Sequence, residues 1–210
     1  MKGITRTAAS HALNIRAVAN KYANIKKIDI KNIKLIIAHL GGGVSIVPFS
    51  RGKIIDVTPT SEEGPFTTSR SGTLPMTAVI KLCYSGKYTE KEMLDLIERK
   101  SGLQSYLGTG NMKKIIERIR NGDKYARLIF DAMFYQISKA IAAMSAVLKG
   151  DVDAIIITGG MAYNKTVINV IKKRIKWIAP IYVFPGEEEM KALNDNIQRV
   201  FEKKEKVKKY

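Results

Sequence analysis

The feature that most limits how this chain can fold is an uninterrupted apolar segment at residues 154–158, which consists mainly of isoleucine. Gly159 and Gly160 follow it directly, so the segment is too short for an ordinary helix and has the composition of a β-strand. A strand without alternating polar residues is typical of a sheet that is covered on both faces. We therefore predict a strand here that is buried on both of its faces.

Earlier in the chain, three apolar segments separated by tight-turn sequences predict three consecutive strands. They span residues 33–40, 44–49 and 53–57, with three glycines in the first connection and an Arg-Gly pair in the second. Strands joined by such short connections are antiparallel neighbours. This part of the sequence therefore predicts a small antiparallel meander.

Helical periodicity and breaker residues describe most of the remainder. Helices are predicted at residues 11–22, 76–84, 90–99, 124–148, 165–177 and 187–203, and a short strand at 181–184. Residues 59–75 contain too many prolines and glycines for a helix and are predicted to form a long loop. The longest helix is predicted to bury one stripe, made of Leu128, Ile129, Ala132, Met133, Ile137, Ile141, Met144 and Leu148.

This order of elements predicts an α/β fold with a mixed sheet, in which three antiparallel strands are followed by parallel βαβ crossovers. The order resembles a ribonuclease-H-like domain, the unit that is duplicated in actin-like ATPases. We find one copy of this order, so we expect the chain to form one wall of a nucleotide cleft. We assign residues 1–32 to an amino-terminal helix left from an inter-domain region, 33–203 to the domain and 204–210 to a basic tail.

The charge balance raises the question of anionic partners. Lysine and arginine total 36 against 19 acidic residues, a net charge of +17. Much of this excess lies on predicted helix faces and in the tail, without zinc-finger spacing or a GXXG clamp, so a solvated surface is favoured over a nucleic-acid partner.

The single cysteine, Cys83, excludes a disulfide framework. No apolar run reaches the roughly 18 residues of a membrane span, and we expect a cytoplasmic protein.

The first candidate for chemistry is the turn between the first two predicted strands. It contains His39, Gly41, Gly42, Gly43 and Ser45. Glycines let backbone N–H groups approach phosphate oxygens closely, and the serine hydroxyl can add a donor. An ordinary glycine hairpin is the alternative interpretation.

A second candidate is the turn of Gly159 and Gly160, where a buried strand is followed by a predicted helix. Ligands of open α/β sheets lie beyond the carboxyl ends of strands, and a helix amino terminus favours anions.

Arg70 lies in the long loop and can brace a transferring phosphoryl group. Glu187 and Glu188 follow the last strand and can hold Mg²⁺. The alternative interpretations involve no ligand. Gly159 and Gly160 would form a close-packed corner between strand and helix, Arg70 would be an ordinary surface residue, and the two carboxylates would only stabilise the helix dipole.

Together these motifs resemble butyrate kinases, which belong to the superfamily of acetate and sugar kinases, Hsp70 and actin. The resemblance rests on HLGGGVSIVPFSRGKIIDV, EEGPFTTSRSGTLP, FDAMFYQISKAIAAMSAVLKGDVDAIIITGGMAYN and WIAPIYVFPGEEEMKAL, and it extends from about Ser10 to about Phe201. It implies an enzyme that uses ATP and Mg²⁺ to phosphorylate butyrate to an acyl phosphate.

The resemblance also implies roles for individual residues. The turn from His39 to Ser45 resembles the family's second phosphate motif, with its three glycines lining the phosphates of ATP. Gly159 and Gly160 correspond to the adenosine motif.

On the catalytic side, Arg70 corresponds to the arginine that stabilises the transferring phosphoryl group. Glu188 corresponds to the carboxylate that positions Mg²⁺, with Glu187 as the alternative. His11 resembles the family histidine near the transferred phosphate, although a lone histidine is more often structural.

The chain departs from the family pattern before Ser10, where the first phosphate motif and the carboxylate-contacting residues are missing. We therefore expect the carboxyl-terminal half of such an enzyme, inactive or very feeble alone, from a truncated or split gene or with a separate amino-terminal chain as partner. We also expect a homo-oligomer.

Three competing functions rank below a butyrate kinase. An acetate or propionate kinase relative ranks lower because those enzymes usually have asparagine at the position of Gly42. A catalytically silent nucleotide-binding module is the second, and it would be stabilised by ATP without turnover. A basic nucleic-acid binder is the third, and its affinity would fall steeply with salt.

Overall fold

The computed structural model describes residues 2–59, 63–187, 194, 197–198 and 200–202 of the 210-residue chain. The helices are α1 (Ala12–Lys26), α2 (Met76–Cys83), α3 (Glu90–Arg99), α4 (Gly102–Leu107), α5 (Met112–Arg120), α6 (Lys124–Val147) and α7 (Lys165–Ile175). The strands are β1 (Lys34–Leu40), β2 (Val44–Ser50), β3 (Lys53–Ile54), β4 (Ala154–Gly159) and β5 (Ile181–Pro185), and short 3-10 helices span Ile30–Asn32 and Gly160–Tyr163.

The five strands form one mixed sheet in the order β3-β2-β1-β4-β5. β1 pairs antiparallel with β2 and parallel with β4, and β4 pairs parallel with β5. The predicted α/β fold, with an antiparallel meander followed by parallel crossovers, is therefore confirmed. Within the described part of the chain, no helix is both long enough and apolar enough to cross a membrane.

Helices cover both faces of the sheet, as the apolar strand composition predicted. Along β1, Ile36, Ala38 and Leu40 pack into a core shared with α4 to α7, whereas Leu35 and Ile37 pack into a second core with α1. The alternation follows from the two-residue period of a strand, which sends successive side chains to opposite faces. The predicted amino-terminal helix thus supplies one of the two covering layers.

The third strand is shorter than predicted. Residues 53–57 were expected to pair, but β3 ends at Ile54. The backbone N–H of Ile55 donates to the carbonyl of Pro48 at 2.9 Å. Proline has no N–H with which to return that hydrogen bond, so the ladder stops there.

The buried stripe of α6 differs from the predicted one. Leu128 is 62% exposed, whereas Phe130 and Phe134, which were not included, are fully buried against the sheet. α4 and α5 were not predicted, because α4 is too short to show helical periodicity and both lie among glycines that resemble turn sequences. The predicted helix 187–203 and the tail 204–210 lie largely outside the described residues.

Replacing Phe134 by alanine should remove a fully buried ring and leave a cavity in the larger core. We expect Phe134→Ala to lower the free energy of unfolding by about 3–5 kcal/mol, measured by urea denaturation. Leu128→Ala, on the exposed face of the same helix, should change it by less than about 0.5 kcal/mol. Equal losses in the two variants would contradict this assignment of the helix faces.

Candidate functional site

The carboxyl ends of three parallel strands lie side by side at one edge of the sheet. His39 on β1 pairs with Thr158 on β4, which pairs with Phe184 on β5. The turns that leave these strands therefore start next to one another: Gly41 to Gly43, Gly159 to Gly160, and Gly186 to Glu187. This edge gathers three of the predicted motifs.

The turn between β1 and β2 is packed at its two outer glycines and open at the middle one. A Cβ atom added to Gly41 would lie 3.0 Å from Nε2 of His39, and one added to Gly43 would lie 3.0 Å from Nη1 of Arg70. At Gly42 an added Cβ would meet no atom of the described residues within 4 Å. The turn therefore needs small residues on its sides and leaves the backbone of Gly42 accessible.

The loop that carries Arg70 is fastened to this turn by a threonine. Thr67 Oγ1 donates to the carbonyl of Gly42 at 3.1 Å and accepts from the backbone N–H of Arg70 at 3.1 Å. The backbone N–H of Thr67 also donates to the carbonyl of Arg70 at 3.0 Å. These bonds hold the loop so that the guanidinium of Arg70 lies beside Gly43. Thr67 itself was missed, since a threonine in a polar loop carries no distinctive signal.

α4 holds the same loop from the other side. A Cβ atom at Gly102 would collide with the carbonyl oxygen of Thr67, and Gly102 has a φ of +63° that favours glycine. Leu103 donates its backbone N–H to that carbonyl at 3.0 Å. The unpredicted helix therefore fixes the position of the arginine loop.

His11 also reaches this edge, from the start of α1. Its Nδ1 lies 2.9 Å from Oγ of Ser45, and its ring stacks on the ring of His39 with centroids 3.9 Å apart. Its Cε1 would lie 3.6 Å from a Cβ atom at Gly43. Ser45 is fully buried, so its hydroxyl contacts the imidazole of His11 from the protein interior.

His39 is fully buried beneath the glycine turn, in contact with Asn14 and Glu187. Burial, followed by the smaller effect of a charge on His11, lowers the pKa of His39 from 6.5 to about 4. The ring is therefore neutral at pH 7. Nε2 of His39 lies 3.2 Å from Oε1 of Glu187, whose side chain is 50% exposed, and at neutral pH this contact is not an ion pair.

The second glycine turn is held by its backbone. Gly159 has a φ of +90°, and an added Cβ would lie 2.5 Å from the carbonyl oxygen of Leu40. Gly159 and Gly186 exchange two backbone hydrogen bonds of 3.2 and 3.1 Å. Gly160 is exposed, and a Cβ there would meet no described atom within 4 Å.

The prediction that these glycines open an α-helix was wrong in detail. Gly160 begins a 3-10 helix that ends at Tyr163, and α7 begins only at Lys165. Asn164 caps α7, because its side chain accepts hydrogen bonds from the backbone N–H groups of Thr166 and Val167.

The predicted metal residue Glu188 lies outside the described residues, and Glu187 is the last residue of this edge that the structure describes. Among the described residues, no group of three or more His, Cys, Asp or Glu side chains could hold a metal ion. Two buried polar side chains of the site, Asn14 and Thr158, were also missed. Asn14 lies three positions after His11 on one helix face, which is the signal that could have identified it.

The chain is similar to a known family and to solved structures. The sequence model of the acetokinase family matches residues 2–201. The probable butyrate kinase 2 of Caldanaerobacter subterraneus subsp. tengcongensis is 45% identical over 207 residues, covering 99% of this chain and 58% of that protein. Butyrate kinase 2 of Clostridium acetobutylicum is 45% identical over 208 residues, covering 99% and 58%.

Two solved structures show the same fold at lower identity. The acetate kinase of Porphyromonas gingivalis aligns with a TM-score of 0.82 at 24% identity, covering 90% of this chain and 55% of that one. The acetate kinase of Entamoeba histolytica gives 0.79 at 23% identity, with 90% and 57% covered. The chain thus spans somewhat more than half the length of the relatives that it matches.

The burial of His39 predicts that one of the two histidines does not titrate near neutrality. In ¹H–¹³C spectra of the imidazole rings, one set of signals should stay constant down to about pH 5, because a group with a pKa of about 4 stays neutral there. His39→Gln should remove that set. Titration of both rings near pH 6.5 would contradict the buried, neutral ring.

The same shift makes stability depend on pH. Between pH 6.5 and about 4 the unfolded chain binds a proton that folded His39 does not, so stability falls as the pH falls through this window. The slope attributable to His39 is at most about 1.4 kcal/mol per pH unit. His39→Gln should flatten the pH dependence of unfolding by that amount, relative to the unmodified chain.

Proposed function

Because this chain belongs to the acetokinase family, we propose that it forms the nucleotide-binding half of a butyrate kinase, which transfers the γ-phosphoryl group of ATP to butyrate and forms butanoyl phosphate. The observation that carries the proposal is the convergence of two accessible glycine turns, Arg70 and His11 at one edge of the sheet. The names of the relatives at 45% identity support butyrate as the substrate.

In the proposed complex, ATP lies along the edge formed by the three strand ends. Its phosphates approach the backbone at Gly42, where no described side chain obstructs them, and its adenosine lies against Gly160. The openness of both glycines supports this placement, since a ligand can reach the backbone there without displacing protein atoms.

Arg70 and His11 both lie close to Gly43 and are proposed to face the transferring phosphoryl group. Negative charge spreads over the phosphoryl oxygens in the transition state, and a fixed guanidinium stabilises it. The bonds of Thr67 to the turn and to the loop support this role, because they hold the arginine before substrate binds.

We propose Glu188 as the residue that would hold Mg²⁺, whose positive charge would offset the negative charge of the phosphates of ATP. Magnesium is usually bound by one or two carboxylates together with phosphate oxygens, so a full cage of protein ligands is not required. Glu187, the alternative residue for this role, is half-exposed at the edge of the sheet.

The carboxylate side of the reaction is proposed to come from outside these 210 residues. Phosphoryl transfer requires donor and acceptor to be held in contact, and such positioning supplies about 7–11 kcal/mol of the barrier. We propose that the chain alone is inactive or very feeble, and that the remaining length of the relatives, in the same polypeptide or in a separate amino-terminal chain, supplies the butyrate site.

We also propose a homo-oligomer. α2 has no buried residue, and its apolar side chains Met76 and Ile80 are 75% and 50% exposed. Contiguous exposed apolar surface is a common mark of a protein interface.

Adjacent glycines allow a sharp test of the nucleotide site. ATP with Mg²⁺ should raise the thermal unfolding midpoint of the chain, as any ligand of the folded state does. Gly160→Ala should leave the midpoint without ligand almost unchanged but reduce the ATP-induced rise. Gly159→Ala should lower the midpoint itself, because its φ of +90° and the nearby Leu40 carbonyl do not accept a Cβ.

The remote variant Leu128→Ala serves as the control and should keep the full ATP-induced rise. An unmodified chain that is not stabilised by ATP would overturn the proposed nucleotide site. So would a Gly160→Ala variant that responds to ATP like the unmodified chain.

Activity is tested by trapping acyl phosphate as the hydroxamate. The 210-residue chain should give little product with ATP and butyrate, and adding a polypeptide that covers the rest of a relative should restore turnover. In the restored enzyme, Arg70→Ala should lower kcat about 10²–10³-fold with a smaller change in KM. Robust turnover by the chain alone would contradict the proposal that the butyrate site lies outside these residues.

A further inference from the structure

Three polar side chains are buried together beneath the edge of the sheet. Asn14 is 1% exposed, and His39 and Thr158 are not exposed at all. The amide of Asn14 lies between the other two: its Oδ1 position is 3.1 Å from Nδ1 of His39 and 3.2 Å from Oγ1 of Thr158. Buried polar groups of this kind are normally all hydrogen-bonded, since each unpaired one costs about 1–3 kcal/mol.

With the amide oxygen in that position, some buried polar atoms of the cluster are left without a hydrogen-bond partner. His39 and Thr158 both donate to the oxygen, and Nδ2 of Asn14 and Nε2 of His39 then have no hydrogen-bond partner among the described residues. The unprotonated Nε2 would also face Oε1 of Glu187 at 3.2 Å, two acceptors against each other.

The amide nitrogen and oxygen occupy equivalent positions, so the opposite assignment fits the same heavy atoms. With the nitrogen facing the pair, Asn14 donates one hydrogen to Nδ1 of His39 and the other to Oγ1 of Thr158. The threonine hydroxyl then donates to the carbonyl of Gly186 at 3.2 Å. The proton of His39 is left on Nε2, 3.2 Å from Oε1 of Glu187, so that a ring N–H rather than a second acceptor faces the carboxylate. Both hydrogens of the amide now face acceptor atoms, and the contact between two acceptors at Glu187 is removed.

We infer that Asn14 is a positioning residue, which fixes His39 as the tautomer protonated at Nε2 and thereby directs that N–H to the carboxylate of Glu187. Polar contacts then connect Asn14 of α1, through the buried ring of His39, to Glu187 at the strand edge. The relevance of these contacts to catalysis rests on the proposed function, because they would orient the carboxylate of Glu187 beside the proposed phosphate site. The neutrality of the buried ring supports the assignment, since only a neutral imidazole can accept at Nδ1.

Nitrogen NMR of the ring tests this without nucleotide, so a failure to bind ATP leaves the test intact. Long-range ¹H–¹⁵N spectra of the uniformly labelled chain should show His39 protonated at Nε2. A ¹⁵N–¹⁵N coupling across the hydrogen bond should connect Nδ2 of Asn14 to Nδ1 of His39. His11→Gln leaves His39 as the one histidine and gives the assignment. Protonation at Nδ1 without this coupling would overturn the inference.

Two variants separate Asn14 from its neighbours. Glu187→Ala removes the half-exposed acceptor, and Thr158→Val removes the hydroxyl but keeps the shape of the side chain. Both should retain the Nε2 proton and the coupling, because the donor to Nδ1 is unchanged. A shift of the proton to Nδ1 in Glu187→Ala would show that the carboxylate sets the tautomer, and the role of Asn14 would be rejected.

Discussion

The parallel pairing of β1, β4 and β5 is the constraint on which the rest of this structure depends. Parallel strands end at the same edge, so the chain segments that leave adjacent strands begin one strand spacing apart. Residues that are far apart in the chain, such as Gly42 and Gly160, thereby border one surface. Without this pairing the glycine turns would be ordinary connections.

Several independent contacts hold the edge together. Close backbone approaches at Gly159 and at Gly102 leave no space for a side chain, and they lock the turn after β4 and the arginine loop in place. Thr67 links that loop to the glycine turn. Beneath them lies the buried group of Asn14, His39 and Thr158, in which hydrogen bonds offset the cost of removing polar atoms from water.

Sequence patterns were reliable where one physical effect dominates. Continuous β-branched segments predicted β1, β2 and β4 almost to the residue, and α3 begins at Glu90 as predicted, where the structure shows a capping box of Thr89 and Glu92. Sequence patterns failed where the outcome depends on residues that are neighbours only in the folded structure. Leu128 has the spacing of a core residue and is exposed, and β3 stops pairing where Pro48 of the neighbouring strand has no N–H to donate.

The amino-acid sequence by itself determined the fold class and the chemical types at the site, because strand composition, glycine turns and a loop arginine are local properties of the chain. Only the tertiary structure decided how these groups meet. It placed His11 against Ser45, drove His39 into the core so that its ring is neutral, and surrounded that ring with Asn14 and Glu187. Desolvation and hydrogen-bond partners depend on residues distant in sequence, so no local pattern contains them.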